Sequence, residues 1–509
     1  MIFKQAITDY LARPLRDLAR AKHWSDARID KRLAELNPQP KFITQPYKHQ
    51  KVGFLLLVKY PVLFCMHDMG LGKSKMVLDA SRYLKLLGKL TRLLVLVPNV
   101  VNLESWKLEI TRHAPDLTAS YISGSKQDRQ EAWEEETDLC LCTYAGIQHL
   151  ICSKVKKKMK LNDAKLKKAI SLFDGVVWDE STAIFNHRSL NFRIASNLSK
   201  NFHWRVALTG TPLGRDPQVL WSQFYCVDRG EALGSMLGPF RAALFTVKKG
   251  YWGGYDYTFK KRREPDLRRM MAHSSIRYSS DECLDLPEKV SVNRPFALTD
   301  EAWSYYSAIL EQAHQSGGKM LDLGGIFIRL RQITSGFVSV ESKPSDLAEN
   351  PRLELFLGLL DELPMTEKVV VFNEFIHSGD LIAERLKGRG IDFARLYSGT
   401  RDKAKELRRF VDDPNCRVFL VNSQSGAQGL NLQQARYVVF YELPVSPIIR
   451  QQAEKRCHRP GQQERVFIYD LFARHTVDQK ILRFLSDGKS LFDALIEGGV
   501  DVLSDRQQL

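Results

Sequence analysis

The sequence predicts an α/β protein built as two doubly wound parallel-sheet lobes, with helical insertions and a helical N-terminal extension. Three observations carry that expectation. Short apolar runs recur at 93–98, 138–144, 175–179 and 205–209, and a second series follows at 368–372, 417–421, 437–441 and 465–470. Runs that are apolar throughout, rather than alternating, suit strands buried on both faces, as a parallel sheet requires. Helical patterns such as 379–387 and 404–411 separate them, giving the strand–helix alternation of doubly wound sheets. Finally, 509 residues are too many for one hydrophobic core.

The elements follow in order. Residues 1–40 read as an amphipathic helical extension closed by Asn37-Pro38-Gln39-Pro40. Residues 41–235 form the first lobe, interrupted by a basic insert at 151–170. Within that insert, 154–168 holds eight lysines against one aspartate and is expected to be an exposed loop or helix pair. Residues 236–350 are a helical, basic insertion and linker, containing Tyr251-Trp252-Gly253-Gly254-Tyr255 and Lys260-Lys261-Arg262-Arg263. Residues 351–485 form the second lobe, and 486–509 a C-terminal tail.

Bulk properties narrow the function. Lys and Arg outnumber Asp and Glu by 75 to 59, a net charge of +16. That excess favours a polyanionic partner, most simply nucleic acid. Eight cysteines without a C-x-x-C pair exclude a disulfide framework or zinc ribbon, so they read as reduced core thiols. No run is long and apolar enough for a membrane, and the charged N-terminus is unlike a secretory signal. A soluble protein of the cytoplasm, or of the nucleus in a eukaryote, is expected.

The chemistry begins at Asp68-Met69-Gly70-Leu71-Gly72-Lys73-Ser74, directly after the apolar run 61–66. A strand entering a glycine turn that opens a helix gathers backbone N–H groups around phosphate oxygens. Lys73 would reach the β- and γ-phosphates, and the Ser74 hydroxyl would ligate Mg²⁺. His67 stands where the full phosphate-loop pattern has glycine. Further on, the strand ending Trp178-Asp179-Glu180 delivers two carboxylates to the edge where such sheets bind ligands. Asp179 would join the Mg²⁺ shell and Glu180 polarise water. Thr209-Gly210-Thr211 ends the next strand with hydroxyls placed to sense the γ-phosphate. Gln50 offers an amide matching the edge of adenine. In the second lobe, Gln452, Arg456 and Arg459 share a predicted helix, with Arg456 and Arg459 spaced i, i+3 on one face. Arginines aimed at a triphosphate would contribute about 4–7 kcal/mol to the transition state. Gly429 and Asn431 lie in a glycine turn ahead of that helix.

In this order, the segments resemble the Swi/Snf-type ATPases of helicase superfamily two. Gln50 stands at the adenine-recognition glutamine and 68–74 at motif I. Val97-Pro98, Trp106 and Glu109 stand at motif Ia, and Asp179-Glu180-Ser181-Thr182 at motif II, a DEAH-like box. Motif III corresponds to 208–212, motif IV to Phe372-Asn373-Glu374-Phe375, motif V to 425–432 and motif VI to 452–462. Thr182 and Phe185 depart from the family's His and Lys. The connector Arg277…Leu286-Pro287-Glu288-Lys289 is most similar to the compact fork-remodelling, annealing-type branch.

The resemblance implies two RecA-like lobes clamping ATP with Mg²⁺, and DNA-dependent ATP hydrolysis that moves the protein along double-stranded DNA, intact, forked or branched. A protein partner that supplies targeting is implied as well. Residues 154–168 and 260–263 are the candidate duplex contacts. Two other readings stay open: a strand-separating helicase on RNA or single-stranded DNA, and a nucleic-acid scaffold with an impaired ATP site.

Overall fold

The computed structural model describes residues 2–155, 158–210, 217–249, 255–283, 287–315, 320–340, 343–397, 399–400, 402–423, 430–459 and 461–487. The chain divides into two compact units, residues 1–284 and 285–509.

The central sheet of the first unit is parallel. Its strands are β1 (Val62–Cys65), β2 (Leu93–Val97), β3 (Ala119–Tyr121), β4 (Leu139–Thr143), β5 (Gly175–Asp179), β6 (Trp204–Leu208) and β7 (Ser275–Ile276). They lie in the order β7-β1-β6-β5-β2-β4-β3, with Leu63 beside Val206 and Val95 beside Val177. Because successive side chains point to opposite faces, each strand feeds two cores. Phe64, Leu94, Leu96, Val176 and Trp178 enter one; Leu63, Cys65, Leu93, Val95 and Val177 enter the other. This explains the apolar runs in the sequence. Seven of the eight cysteines are buried and all are free thiols.

The extension is helical at Ile2–Ala12 and Asp26–Ala34, with a 3₁₀ turn at Leu18–His23. It packs onto the first unit. Tyr10 Oη donates to Leu233 O (2.6 Å), Leu18 N to Ala272 O (2.8 Å), and Lys22 Nζ pairs with Glu282 (2.5 Å).

The second unit holds a six-stranded parallel sheet of β8 (Lys289–Phe296), β9 (Val369–Asn373), β10 (Phe393–Leu396), β11 (Val418–Asn422), β12 (Tyr437–Phe440) and β13 (Val466–Ala473). Their order is β8-β13-β12-β9-β11-β10. The switch of strand order leaves β9, β11 and β12 at the centre, where Val369, Val371, Val418, Leu420 and Val439 fill one core.

The segment 236–350, expected as one insertion, is shared between the units. Its Ser275–Ile276 joins the first sheet beside β1, and its Lys289–Phe296 runs along β13. The latter alternates exposed and half-buried positions, as a solvent-facing edge strand does, and Pro295 is tolerated at such an edge. The lysine-rich insert is a hairpin, Cys152–Val155 with Lys158–Leu161, followed by a helix, Asp163–Leu172; the expected loop or helix pair is corrected. The period-two pattern is the reason. Lys158 and Lys160 are exposed, while Met159 and Leu161 turn inward against the core. Among the described residues, no helix is long and apolar enough to cross a membrane.

Candidate active site

The phosphate loop is built by two glycines. Gly70 and Gly72 have φ of +83° and +67°, the left-handed region that costs glycine no Cβ clash. Gly72 caps the helix Lys73–Leu86, so its open N-terminal end faces the turn. A side chain on Gly72 would meet Gln50 Nε2 at 2.3 Å. Lys73 Nζ folds back to donate to the carbonyls of His67 (3.0 Å) and Asp68 (3.2 Å). Burial lowers its pKa, and the nearby carboxylates of Glu180 and Asp179 oppose that shift.

His67 occupies the position of the missing glycine. It is completely buried, its ring edge-on to Tyr278 at 5.1 Å. Burial, then the positive charge of Lys73, pushes its pKa well below 6.5, so it is neutral. Its bulk is accommodated because β7 and the connector lie alongside: Asp68 N donates to Tyr278 O at 2.9 Å. The Asp68 carboxylate accepts from Ser280 N (3.3 Å) and lies 3.9 Å from the Arg277 guanidinium. Asp68, expected among the ATP ligands, thus ties the loop to the connector. Met69 and Leu71 are buried in the same turn.

Gln50 sits on the helix Lys48–Lys59 and is buried. Its Oε1 accepts from Tyr47 N (3.0 Å), and its Nε2 donates to Leu71 O (3.2 Å). One N–H and one lone pair of the amide remain for a base edge. Tyr47 is exposed and stacked on His49 next to it.

The carboxylate pair ends β5. Asp179 Oδ2 accepts from Trp106 Nε1 (2.8 Å), and Oδ1 from Glu180 N (3.0 Å). Burial first, and the adjacent Glu180 second, push the Asp179 pKa up to about 6, against the pull of Trp106 and Lys73. Glu180 takes left-handed backbone, φ +45°, a conformation that strains a non-glycine residue and recurs at functional sites. Tyr144 Oη donates to Asp179 O (2.9 Å), and Ser181 Oγ to Gln223 Oε1 (2.7 Å), bracketing the strained residue.

The hydroxyl of Thr209, at the end of β6, donates to Glu180 Oε2 at 3.2 Å. The substitution at Thr182 therefore leaves motif II joined to motif III, through Thr209, while Thr182 Oγ1 turns back to Glu180 O (3.4 Å). A Cβ on Gly210 would press on Met69 Cγ at 3.2 Å, so this glycine permits the close approach of motif III to the phosphate loop. Thr211 lies outside the described residues, as does Gly429.

In the second unit, Arg456 and Arg459 both direct Nη1 to Leu430 O, each at 3.4 Å. Their expected shared helical face is corrected: the helix is Pro447–Cys457, and Arg459 follows its end. They converge because the chain turns there, with Gln462 N on Arg459 O and Leu432 N on Arg456 O, both at 3.0 Å. Gln452 is half-buried on the same helix, and Asn431 is exposed beside Leu430.

The SNF2-related domain family matches residues 59–334, more than half of the chain, and the helicase conserved C-terminal domain family matches 352–461. The chain belongs to the SNF2 family. Its two parallel-sheet lobes are accordingly the RecA-like lobes of that family's superfamily-two ATPase core. Relatives of this SNF2-family chain include the mouse (Mus musculus) chromodomain-helicase-DNA-binding protein 1-like, 27% identical over 85% of this chain and 47% of the relative. The chromatin remodeling factor mit1 of Schizosaccharomyces pombe is 25% identical over 92% and 34%. The ATP-dependent DNA helicase DDM1 of Arabidopsis thaliana is 23% identical over 82% and 57%. The chain thus spans from about a third to somewhat over half of these relatives' length. A solved SWI2/SNF2 ATPase core of Sulfolobus solfataricus in complex with dsDNA is 22% identical over 91% of this chain and 95% of that one, with a TM-score of 0.42.

Two candidate duplex contacts of the SNF2-family chain are partly committed elsewhere. Lys260 Nζ donates to Ala242 O (3.0 Å) and Ala243 O (3.3 Å), capping the end of the helix Leu237–Leu244. Arg263 pairs with Asp266 at 2.9 Å. These two side chains make contacts within the chain, and Lys261 and Arg262 are exposed. In the insert, Lys165 donates to Cys152 O and Lys168 pairs with Glu134, whereas Lys154, Lys158 and Lys160 are exposed on the hairpin. Two residues that motif reading left without a role, Trp106 and Tyr144, donate to Asp179. Trp106 was legible as part of motif Ia; nothing in the sequence pointed to Tyr144.

The oxygen donors of Ser74 and Asp179 suit a hard cation such as Mg²⁺. The described residues hold no cluster of three His, Cys, Asp or Glu side chains able to bind a metal alone. A cation sharing its shell with phosphates and water requires none.

Proposed function

We propose that this SNF2-family chain hydrolyses ATP and couples the cycle to movement along double-stranded DNA. The observation that carries the reading is the convergence at one sheet edge of three groups with distinct tasks. These are the Gly70/Gly72 phosphate loop with Lys73, the half-buried Asp179–Glu180 pair, and the Thr209 hydroxyl held on Glu180. Lys73 leaves its carbonyl partners to meet the β- and γ-phosphates. Ser74 and Asp179 hold Mg²⁺, which when bound neutralises charge developing on the phosphates. Glu180 orients the attacking water and accepts its proton, with the bond from γ-phosphorus to the ADP oxygen breaking. Gln50 contacts adenine, and Arg456 and Arg459 supply the finger charge.

DNA as the track is supported by the net charge of +16 and by the exposed lysines of the hairpin, since phosphate contacts dominate such affinity. The names of the relatives, which speak of DNA binding, chromatin remodelling and DNA helicase activity, point the same way. A protein partner would direct the motor to its target.

The test compares ATPase rates on duplex DNA, forked DNA, single-stranded DNA and RNA, with triplex displacement as the readout of movement. Stimulation by duplex and loss of triplex are expected from the native protein. Lys73→Ala should lose both while keeping its affinity for duplex. Activation by RNA with duplex inert would replace this reading with a strand-separating helicase.

A further inference from the structure

We propose that Trp106 is a positioning residue for Asp179: its indole N–H fixes the rotamer of the carboxylate that faces magnesium. The inference rests on the reading of Asp179 given above and adds a residue to which no role has been attached.

Trp106 lies on the helix Val100–His113, which begins at the C-terminal end of β2. Asn99 caps the helix by accepting from Asn102 N at 3.2 Å. The cap fixes the helix phase, so that Leu103, Trp106, Ile110 and His113 form its buried stripe. Trp106 is 2% exposed, and a buried indole N–H needs an acceptor. Apolar packing alone would be served by phenylalanine. The acceptor here is a carboxylate oxygen at 2.8 Å, the length of a charge-assisted bond.

The consequence lies in how the carboxylate is shared. Oδ2 is bound by the indole and Oδ1 by the Glu180 amide. Each oxygen keeps a further lone pair for a cation or its water. Two donors from different elements therefore hold the carboxyl plane, and the Tyr144 hydroxyl holds the peptide behind it. Outer donors of this kind orient metal ligands, and their loss costs about 10–100-fold in metal affinity or activity.

The helix also displays Val100, Lys107 and Leu108 on its exposed side.

The test uses the full chain and three variants, Trp106→Phe, Asp179→Asn and Asp179→Ala. Binding of ADP is measured with and without Mg²⁺, next to ATPase rates and thermal unfolding. Trp106→Phe should raise the Mg²⁺ concentration for half-maximal ADP binding by about 10–100-fold. It should leave metal-free ADP binding and the unfolding midpoint near those of the native protein. A native Mg²⁺ dependence in Trp106→Phe, with Asp179→Ala having lost it, overturns the inference alone. A native dependence in Asp179→Ala overturns the site reading as well.

Should Trp106→Phe fold poorly, indole N–H resonances of the ¹⁵N-tryptophan-labelled native chain give a second measure. One of the eight should shift both in Asp179→Asn and on adding Mg²⁺ with ADP. If none responds to both, Trp106 is only a packing residue.

Discussion

The half-buried carboxylate pair that ends β5 and the buried carboxylates Asp470 and Asp478 of the second unit are balanced differently. In the second unit the balance is internal. Arg450 forks onto Asp470 (2.5 and 3.0 Å) and reaches Glu454 (2.6 Å), which also pairs with Lys289 (2.6 Å). Arg352, fully buried, pairs with Asp478 and donates to Thr334 O at 3.0 Å. In the first unit, Asp179 and Glu180 form no ion pair among the described residues, and the nearby ammonium of Lys73 rests on carbonyls. An uncompensated buried charge costs several kcal/mol. Burial and then the adjacent Glu180 raise the Asp179 pKa to about 6, although Trp106 and Lys73 pull it down. A fold retains such a cost where a ligand removes it. On the proposed reading the Asp179–Glu180 pair keeps its charge for a substrate, whereas the buried Lys75–Asp79 pair of the same unit (2.6 Å) and Arg450 and Arg352 of the second are spent on holding their own units together.

The comparison can be broken most decisively within one residue type. Arg456→Ala should reduce turnover by about a thousand-fold or more, read as kcat with unfolding followed in parallel. A loss that merely tracked unfolding would erase the distinction between the arginines. Arg352→Ala should instead act on stability, by about 3–5 kcal/mol, measured by denaturant titration of the full chain. A cost below ~1 kcal/mol would mean that Asp478 is solvated, and the second unit would no longer be self-balanced.

A smaller effect tests the first unit's buried neutral groups. The folded pKa of His67 lies well below 6.5, so the unfolded chain takes up its proton first as pH falls. Its contribution to stability is complete above pH 6.5 and is lost on acidification. Between pH 6.5 and 5 the native protein should lose up to about 2 kcal/mol more than His67→Asn. Parallel curves would show that His67 is charged in the folded state. The smallest effect concerns the surface. Replacing Lys154, Lys158 and Lys160 by Gln should flatten the salt dependence of duplex binding, by about 0.9 in slope for each phosphate that is no longer neutralised. An unchanged slope would assign that hairpin to solvent.

Much of the fold was legible because its signals are local. The run Gly175-Val176-Val177-Trp178 is apolar on both faces, and the strand lies where that pattern placed it. The phosphate turn was legible for the same reason, since only glycine suits φ of +83° and +67° in succession around Leu71. The two-residue strand Ser275–Ile276 was not, for it is too short to show a period and exists by pairing with β1. The charge of Lys260 is visible in sequence, whereas the carbonyls of Ala242 and Ala243 that it caps are not.

By itself, the sequence determined much of the backbone chemistry: most of the apolar strands at the centre of both sheets, the left-handed glycines of the phosphate turn, and which carboxylates and arginines come in pairs. Only the tertiary structure decided what those side chains do for one another. Trp106 lies 73 positions from Asp179, and Thr209 lies 29 positions from Glu180. Periodicity and propensity act over a few residues along the chain. A hydrogen bond depends on where packing brings two side chains, and that is settled when the sheet and its helices close on a common core.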